Sequence, residues 1–381
     1  MSSDLKKYKL DEFAKLVKKQ YQPNADEELI YIGLEHIEQQ TLRINGYGNS
    51  KNVISQKYRF SSGDILFGKL RPYFRKVFRP KFDGVCSTDI WVIKAKKDFD
   101  QGFLFYFLAN QSFIDACNSG SSGTRMPRAD WDHLSETEWK LPPLSTQRRI
   151  ADILSALDDK IELNRQTNAT LEAIAQAIFK KWFVENEKTY EWDLAPLPEV
   201  IEINPPCSLK ANQIAPYLDM ASMPTTGHRV NGWVNRPFGS GTKFINGDTL
   251  IAKITPCLEN GKTAYVDFLD NGQIGWGSTE YIIFRPKPPI PPEYGYFLAR
   301  SDEIRNYAIQ NMIGTSGRQR VPVTCFNFLS IRIPPTDLVI QFGIIAESLM
   351  KKIKATSEES KTLAFIRDTL LPKLMSGEIY P

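Results

Sequence analysis

The chain has few cysteines and fewer histidines, and neither set is spaced for chemistry. Its five cysteines (Cys86, Cys117, Cys207, Cys257, Cys325) are odd in number, far apart and without a CxxC pair. That excludes a disulfide framework or a zinc ribbon and suits a reducing cytoplasm. Three histidines (His36, His133, His228) leave little material for a His-based catalytic or metal centre. No apolar run approaches the roughly 18 residues of a membrane span. The opening Met1-Ser-Ser-Asp-Leu-Lys-Lys-Tyr8 has no apolar core of a secretory signal, so neither membrane nor export is expected. An excess of one charge is lacking too: 48 Lys+Arg face 44 Asp+Glu, which shifts interest from the total to its distribution. With 381 residues and an ordinary 42% hydrophobic content, the chain is long enough for two domains with real cores.

What is present is a sequence written twice. Phe60-Ser-Ser-Gly-Asp-Ile-Leu-Phe-Gly-Lys-Leu-Arg-Pro72 returns as Phe244-Ile-Asn-Gly-Asp-Thr-Leu-Ile-Ala-Lys-Ile-Thr-Pro256. Ser87-Thr-Asp89 answers to Ser278-Thr-Glu280, Ser122-Gly123 to Ser316-Gly317, and Leu141-Pro-Pro143 to Ile333-Pro-Pro335. Four matches in one order point to a duplicated module. Each copy runs through short strand-like stretches such as Val85–Ile93 and Tyr281–Phe284, broken by Gly and Pro. A Pro-Pro stop follows, then a long segment with almost no helix breaker, so each module ends by starting a helix.

Those helices carry a 4-3 spacing. In the first it picks out Ile150, Leu154, Leu157, Ile161, Asn164, Asn168, Leu171, Ala175, Ile178 and Trp182. In the second it picks out Phe342, Ala346, Leu349, Ile353, Thr356, Ser360, Leu363, Arg367, Leu370 and Leu374. The polar break falls at the same place in both, Asn164/Asn168 and Thr356/Ser360, as in seams that fix register and partner. The expected helix–helix interface is therefore Leu154, Leu157, Ile161, Asn164, Asn168, Leu171 and Ile178 against Leu349, Ile353, Thr356, Ser360, Leu363 and Leu370. Two amphipathic helices, each docked on its own domain, is the alternative. Antiparallel pairing would hold two heads at opposite ends of a rod about 57 Å long, related by a pseudo-two-fold axis. The expected fold is α+β: two mixed α/β domains separated by two long helices packed as an antiparallel coiled coil.

Between Arg43 and Lys81 stand ten Lys/Arg and a single acid, Asp64. Such a stripe is the footprint of phosphate-backbone contact, with a solvated basic face as its alternative. Arg125/Arg128 and Arg318/Arg320 lie in matched Gly/Ser loops, where arginines reach phosphate or a guanine edge. The candidate DNA contacts are Lys69, Arg71, Arg75, Lys76, Arg125 and Arg128 in the first copy. In the second they are Arg229, Lys253, Arg318 and Arg320.

Enzymatic motifs fail on inspection. Asn204-Pro-Pro-Cys207 lacks the aromatic fourth position of amino-methyltransferases and any glycine-rich cofactor loop upstream. Gly261-Lys-Thr263 imitates the end of a phosphate loop, but Pro256 stands where the earlier glycine is required. Asp130 with Glu138-Trp-Lys140 superficially resembles a nuclease carboxylate cluster, yet it has no counterpart in the second copy. No catalytic residue and no metal ligand is expected.

Leu141-Pro-Pro-Leu-Ser-Thr-Gln-Arg-Arg-Ile-Ala-Asp-Ile-Leu-Ser-Ala-Leu-Asp-Asp-Lys-Ile161 resembles the central conserved region of the specificity (S) subunits of type I restriction–modification systems. Gly63-Asp-Ile-Leu-Phe-Gly-Lys-Leu-Arg-Pro72, Ser278-Thr-Glu-Tyr-Ile-Ile-Phe-Arg-Pro286 and the ending Leu371-Pro-Lys-Leu-Met-Ser-Gly-Glu378 are similar to segments of the same family. One departure is local: the usual Glu-Gln after Pro-Pro is Thr146-Gln147 here, and the second copy keeps only Gln341. The resemblance implies target recognition domains at 1–144 and 187–336, with conserved helical regions at 145–186 and 337–381. It further implies a non-catalytic, cytoplasmic subunit that binds a bipartite, asymmetric site on double-stranded DNA. Two methyltransferase (M) subunits and restriction/translocase (R) subunits would be its partners. S-adenosylmethionine, ATP and Mg would sit on those partners, and no cofactor on this chain. A duplicated scaffold binding proteins instead of DNA is the rival reading, and a stand-alone restriction enzyme or methyltransferase is a second.

Overall fold

The computed structural model describes residues 5–24, 26–119, 126–315 and 317–381. The chain divides into two compact units, Met1–Glu162 with Ser360–Pro381, and Leu163–Glu359. Both contain a head of short strands and parts of two long helices, Leu144–Phe179 and Thr336–Ser376. The division runs through both helices, so neither helix forms a compact body by itself.

In the first unit an antiparallel sheet places Ala14–Leu16, Ile90–Ala95, Ile65–Gly68 and Val77–Phe78 side by side. A second sheet follows the order Gln20–Tyr21, Lys57–Phe60, Gly84–Cys86, Ile30–Ile32, Gly48–Asn49. Its one parallel pairing is Ile30–Ile32 with Gly84–Cys86. The repeated Gly-Asp of the sequence makes the turn between these sheets. Gly63 takes a left-handed φ of 84°, and the Asp64 carboxylate accepts from the Ser61 N–H at 2.9 Å and meets Lys94 at 3.0 Å.

The second unit repeats the plan. Ile201–Ile203, Tyr281–Pro286, Thr249–Ala252 and Thr263–Tyr265 form the antiparallel sheet. Val234–Pro237, Ile214–Leu218, Gly275–Gly277 and Thr242–Phe244 form the other, again with one parallel pair. Gly247 has φ 90°, and Asp248 accepts from Ile245 N–H at 2.8 Å and from Arg285 at 2.6 and 2.7 Å. A two-stranded ladder closes each head before its Pro-Pro: Lys6–Lys9 with Glu138–Leu141, and Leu194–Pro196 with Ser330–Arg332.

Within each unit the helix segments run antiparallel and share the core of the head. In the first, Ile150 and Leu154 lie in one buried cluster with Leu371 and Leu374, together with Phe13, Phe67 and Phe113. Arg367 reaches Asp158 at 2.6 Å. In the second, Ala175 and Phe179 cluster with Phe342 and Ala346 and with Tyr294, Phe297 and Phe326. A polar layer stands at the break, with Glu359 and Ser357 as partners beside Thr356: Asn164 Nδ2 donates to Glu359 at 2.8 Å, Asn168 Nδ2 to Ser357 at 3.1 Å, and Thr356 Oγ1 to Asn168.

The heptad positions divide by burial. Leu154, Ile161, Asn164, Ile353 and Thr356 are buried. Leu157, Asn168, Leu171, Ile178, Leu349, Ser360, Leu363 and Leu370 are half-buried. Past the polar layer, Glu172 and Phe179 are sealed instead of Leu171 and Ile178, as are Met350 and Leu371 beside Leu349 and Leu370. A 3.6-residue helix drifts about 20° per heptad against a 3.5 repeat. Here each helix covers a head as well as its partner, which widens the buried face.

Gln147 is 2% exposed; its side chain accepts from Asp100 N–H at 3.0 Å and donates to Pro142 O at 2.9 Å, anchoring the helix start to the head. Gln341 is not its counterpart. It is exposed, and buried Val339 stands at the position that answers to Gln147.

Candidate nucleic-acid interface

The repeated motifs converge on one junction per head. Strand Ile65–Gly68 runs on into Lys69, whose N–H donates to Asp89 O at 3.0 Å and whose carbonyl accepts from Ala129 N–H at 2.9 Å. Leu70 bridges to Arg128, and Arg71 N–H donates to Pro127 O at 2.8 Å. In the second head Lys253 N–H donates to Glu280 O at 2.9 Å, and Val321 N–H to Lys253 O at 2.9 Å. Ile254 bridges to Arg320, and Thr255 N–H donates to Gln319 O at 3.0 Å. Three segments distant in sequence are thus tied in the same way twice, and the lysine, the acid and the arginine of each set come together.

Their side chains pair alike. Arg128 meets Asp89 at 3.4 Å, and Arg320 Nε meets both Glu280 oxygens at 2.9 and 3.1 Å. Arg128 and Arg320 remain about half exposed, at 53% and 47%. In the first head Lys69 and Arg128 border a cleft shared with Lys18, Tyr58, Trp91 and Trp131. Three cations and several aromatic side chains line this open cleft, together with the carboxylates Asp130 and Asp132, and such cation–aromatic walls suit a polyanion with stacking rings. Arg318 is exposed beside Arg320, whose Nη1 donates to Arg318 O at 3.3 Å. Arg125 lies outside the described residues.

The other basic positions are engaged within the fold. Arg75 donates to Gln40 O at 2.9 Å, lies 3.8 Å from Asp368 and is only 16% exposed. Burial lowers its pKa, and Asp368 partly offsets that. Lys76 donates to Leu34 O, and burial holds its pKa low. Arg71 adopts a left-handed backbone (φ 52°) with its guanidinium 6.0 Å from the Phe74 ring. Arg229 is clamped by Asp267 at 2.7 Å to each oxygen and by Glu358 on the second long helix, with 10% of its side chain exposed. It ties the head to the helix instead of standing at an open surface. Within the stripe, Arg59 pairs with Glu27 at 2.6 Å, Lys51 with Glu28 at 3.0 Å and Lys81 with Asp159 at 3.1 Å. The acids that answer the stripe come from outside Arg43–Lys81, which a local charge count misses.

Asp89 and Glu280 entered the sequence reading as repeat markers and not as site residues. The signal was their alignment with the arginines, two short motifs that recur in the same order in both copies. A further repeat also escaped notice: Arg43-Ile-Asn-Gly-Tyr47 and Arg229-Val-Asn-Gly-Trp233, both ending in a partly exposed aromatic. Asn204, from the rejected methyltransferase motif, is structural; its side chain accepts from Ile283 N–H at 2.7 Å while its N–H donates to Ile283 O at 2.9 Å. Among the described residues no group of three or more His, Cys, Asp or Glu is placed to hold a metal. Among the same residues no helix is long and apolar enough to cross a membrane.

Residues 2–173 match the family described as the Type I restriction modification DNA specificity domain. The chain is 25% identical to the Type I restriction enzyme HindI specificity subunit of Haemophilus influenzae, over 99% of this chain and 100% of that one. It is 33% identical to the EcoDI specificity subunit of Escherichia coli over 192 residues, 48% of this chain and 42% of that protein. A solved type I restriction-modification S subunit from M. genitalium shares the fold, with a TM-score of 0.59 at 17% identity over 99% of this chain and 96% of that one. With the duplicated heads and the antiparallel helices, the chain is thus similar over its whole length to type I restriction–modification specificity subunits, and its residues 2–173 match that family's DNA specificity domain.

Proposed function

We propose that this chain is the DNA-reading subunit of a cytoplasmic type I restriction–modification complex, recognising a bipartite, asymmetric site. Each head takes one half-site, and the paired helices set the spacing between them. The observation that carries this reading is the doubled junction: one scaffold of backbone hydrogen bonds presents Lys69, Asp89 and Arg128 in one head and Lys253, Glu280 and Arg320 in the other. Conserved geometry with altered side chains suits two readers of unlike sequences, whereas a symmetric dimer would read a palindrome. Lysines at the junction neutralise phosphate, and arginines reach base edges in the major groove.

The chain itself contributes recognition and no chemical step. Two methyltransferase subunits would supply S-adenosylmethionine-dependent adenine methylation, and restriction subunits with ATP and Mg the translocation and cleavage. The helices carry exposed apolar residues, among them Leu163 and Phe365, beside their buried faces. The deciding experiment maps methylated adenines in cells with and without this gene. Loss of methylation at one bipartite, non-palindromic motif supports the reading. An unchanged methylome, together with no salt-dependent DNA shift by the chain and its methyltransferase partner, favours a protein-binding scaffold.

A further inference from the structure

We infer that Arg128 and Arg320 are matched guanine readers, one per half-site, each aimed by a carboxylate, Asp89 or Glu280, acting as a positioning residue. The inference rests on the proposed DNA-reading function and names the base-edge chemistry of that same site. Its foundation is that an exposed ion pair is built twice from residues that have no folding need of it. Such pairs contribute little to stability because water competes for both partners and long side chains lose freedom. The surrounding backbone bonds already join the three segments without the side chains.

The geometry indicates what the pairs do. Glu280 occupies Arg320 Nε through both its oxygens, and Arg318 O engages Nη1 at a longer 3.3 Å. A guanidinium held at its Nε side, with one Nη1 hydrogen given to Arg318 O, keeps Nη2 and the second Nη1 hydrogen as a fork of donors for a ligand. A fork of parallel N–H donors matches the O6 and N7 acceptors of guanine in the major groove. The shorter Asp89 holds Arg128 by a terminal nitrogen at 3.4 Å, a looser grip that leaves a different donor edge presented. The acid is carried by a turn whose own hydroxyl fixes it: Asp89 N–H donates to Ser87 Oγ at 3.2 Å and Glu280 N–H to Ser278 Oγ at 3.1 Å. The Ser-Thr-acid repeat is therefore a mount for the arginine.

The test uses the complete methyltransferase complex. Wild-type, R128A, R320A, D89N and E280Q chains are compared by methylome mapping and thermal melting. Expected is a G·C pair in each half-site, with R320A and E280Q relaxing one position in one half-site and R128A and D89N one position in the other. Spacer, opposite half-site and melting temperature stay unchanged. Where a variant methylates too little to map, binding to duplexes carrying 7-deazaguanine, which lacks N7, takes over. The wild type should lose roughly ten- to a hundredfold at the read guanine, and the arginine variant should show no such loss. Unchanged motifs in all four variants, or a half-site without any G·C pair, overturn the inference while leaving the bipartite reading intact. Absence of any motif dependent on this gene overturns that reading instead.

Discussion

At the scale of single residues, the basic stripe shows how charge counted along a sequence differs from charge in space. Arg75 and Lys69 are near neighbours in sequence, yet Arg75 is held by Gln40 O and Asp368 while Lys69 borders the open cleft. Lys69→Ala should lower the salt slope of DNA binding by about one and leave the melting temperature unchanged. Arg75→Ala should do the reverse, costing about 1–2 kcal/mol of stability with little change in slope; paired salt titrations and urea unfolding check both. A second residue-scale case is Glu172, buried in the second unit against His228 Nδ1 at 3.0 Å and Tyr296 OH at 2.7 Å. Burial alone would raise its pKa, but the hydrogen bonds from His228 and Tyr296 and the Arg300 charge together bring it below the ordinary glutamate range. A depressed carboxyl contributes stability above its unfolded pKa and loses it as pH falls through the folded one. Glu172→Gln should therefore cost about 1–3 kcal/mol near neutral pH. The gap to wild type should close in urea titrations carried below the glutamate range. No periodicity marks Glu172 as special, because its partners lie in a head whose folding alone brings them to the helix.

At the scale of elements, the repeated Gly-Asp and the polar seam residues were legible before any coordinates, since both depend on local rules. Gly supplies a positive φ, Asp closes its own turn, and polar seam positions find polar partners. What periodicity could not show was the drift of burial to Glu172, Phe179, Met350 and Leu371. A strict heptad presumes a bare partner helix, whereas each helix here also packs on aromatic residues of a head, such as Tyr294 and Phe297 against Phe179. Insertion of seven residues into both helices at the polar layer should add roughly 10 Å, about 3 bp of spacer, without altering either half-site. Methylation-site mapping reads this directly, and altered half-sites with a constant spacer would count against the helices as the measure of distance.

At the scale of the whole molecule, duplication with divergence is the feature that links structure to the proposed asymmetric site. Replacing 187–336 by the corresponding segment of another specificity subunit should exchange one half-site and preserve the other, as methylome mapping would reveal. The sequence by itself determined the duplication, the two long helices, their polar centre and the family resemblance, because each is written in contiguous residues or in segments that recur in one order. Only the tertiary structure decided which basic residues are available and which acids accompany them. Asp89 and Arg128, or Glu280 and Arg320, meet because the Lys69 or Lys253 segment bonds through its backbone to both. Such contacts arise from backbone pairing at a distance, and no local pattern of side chains encodes them.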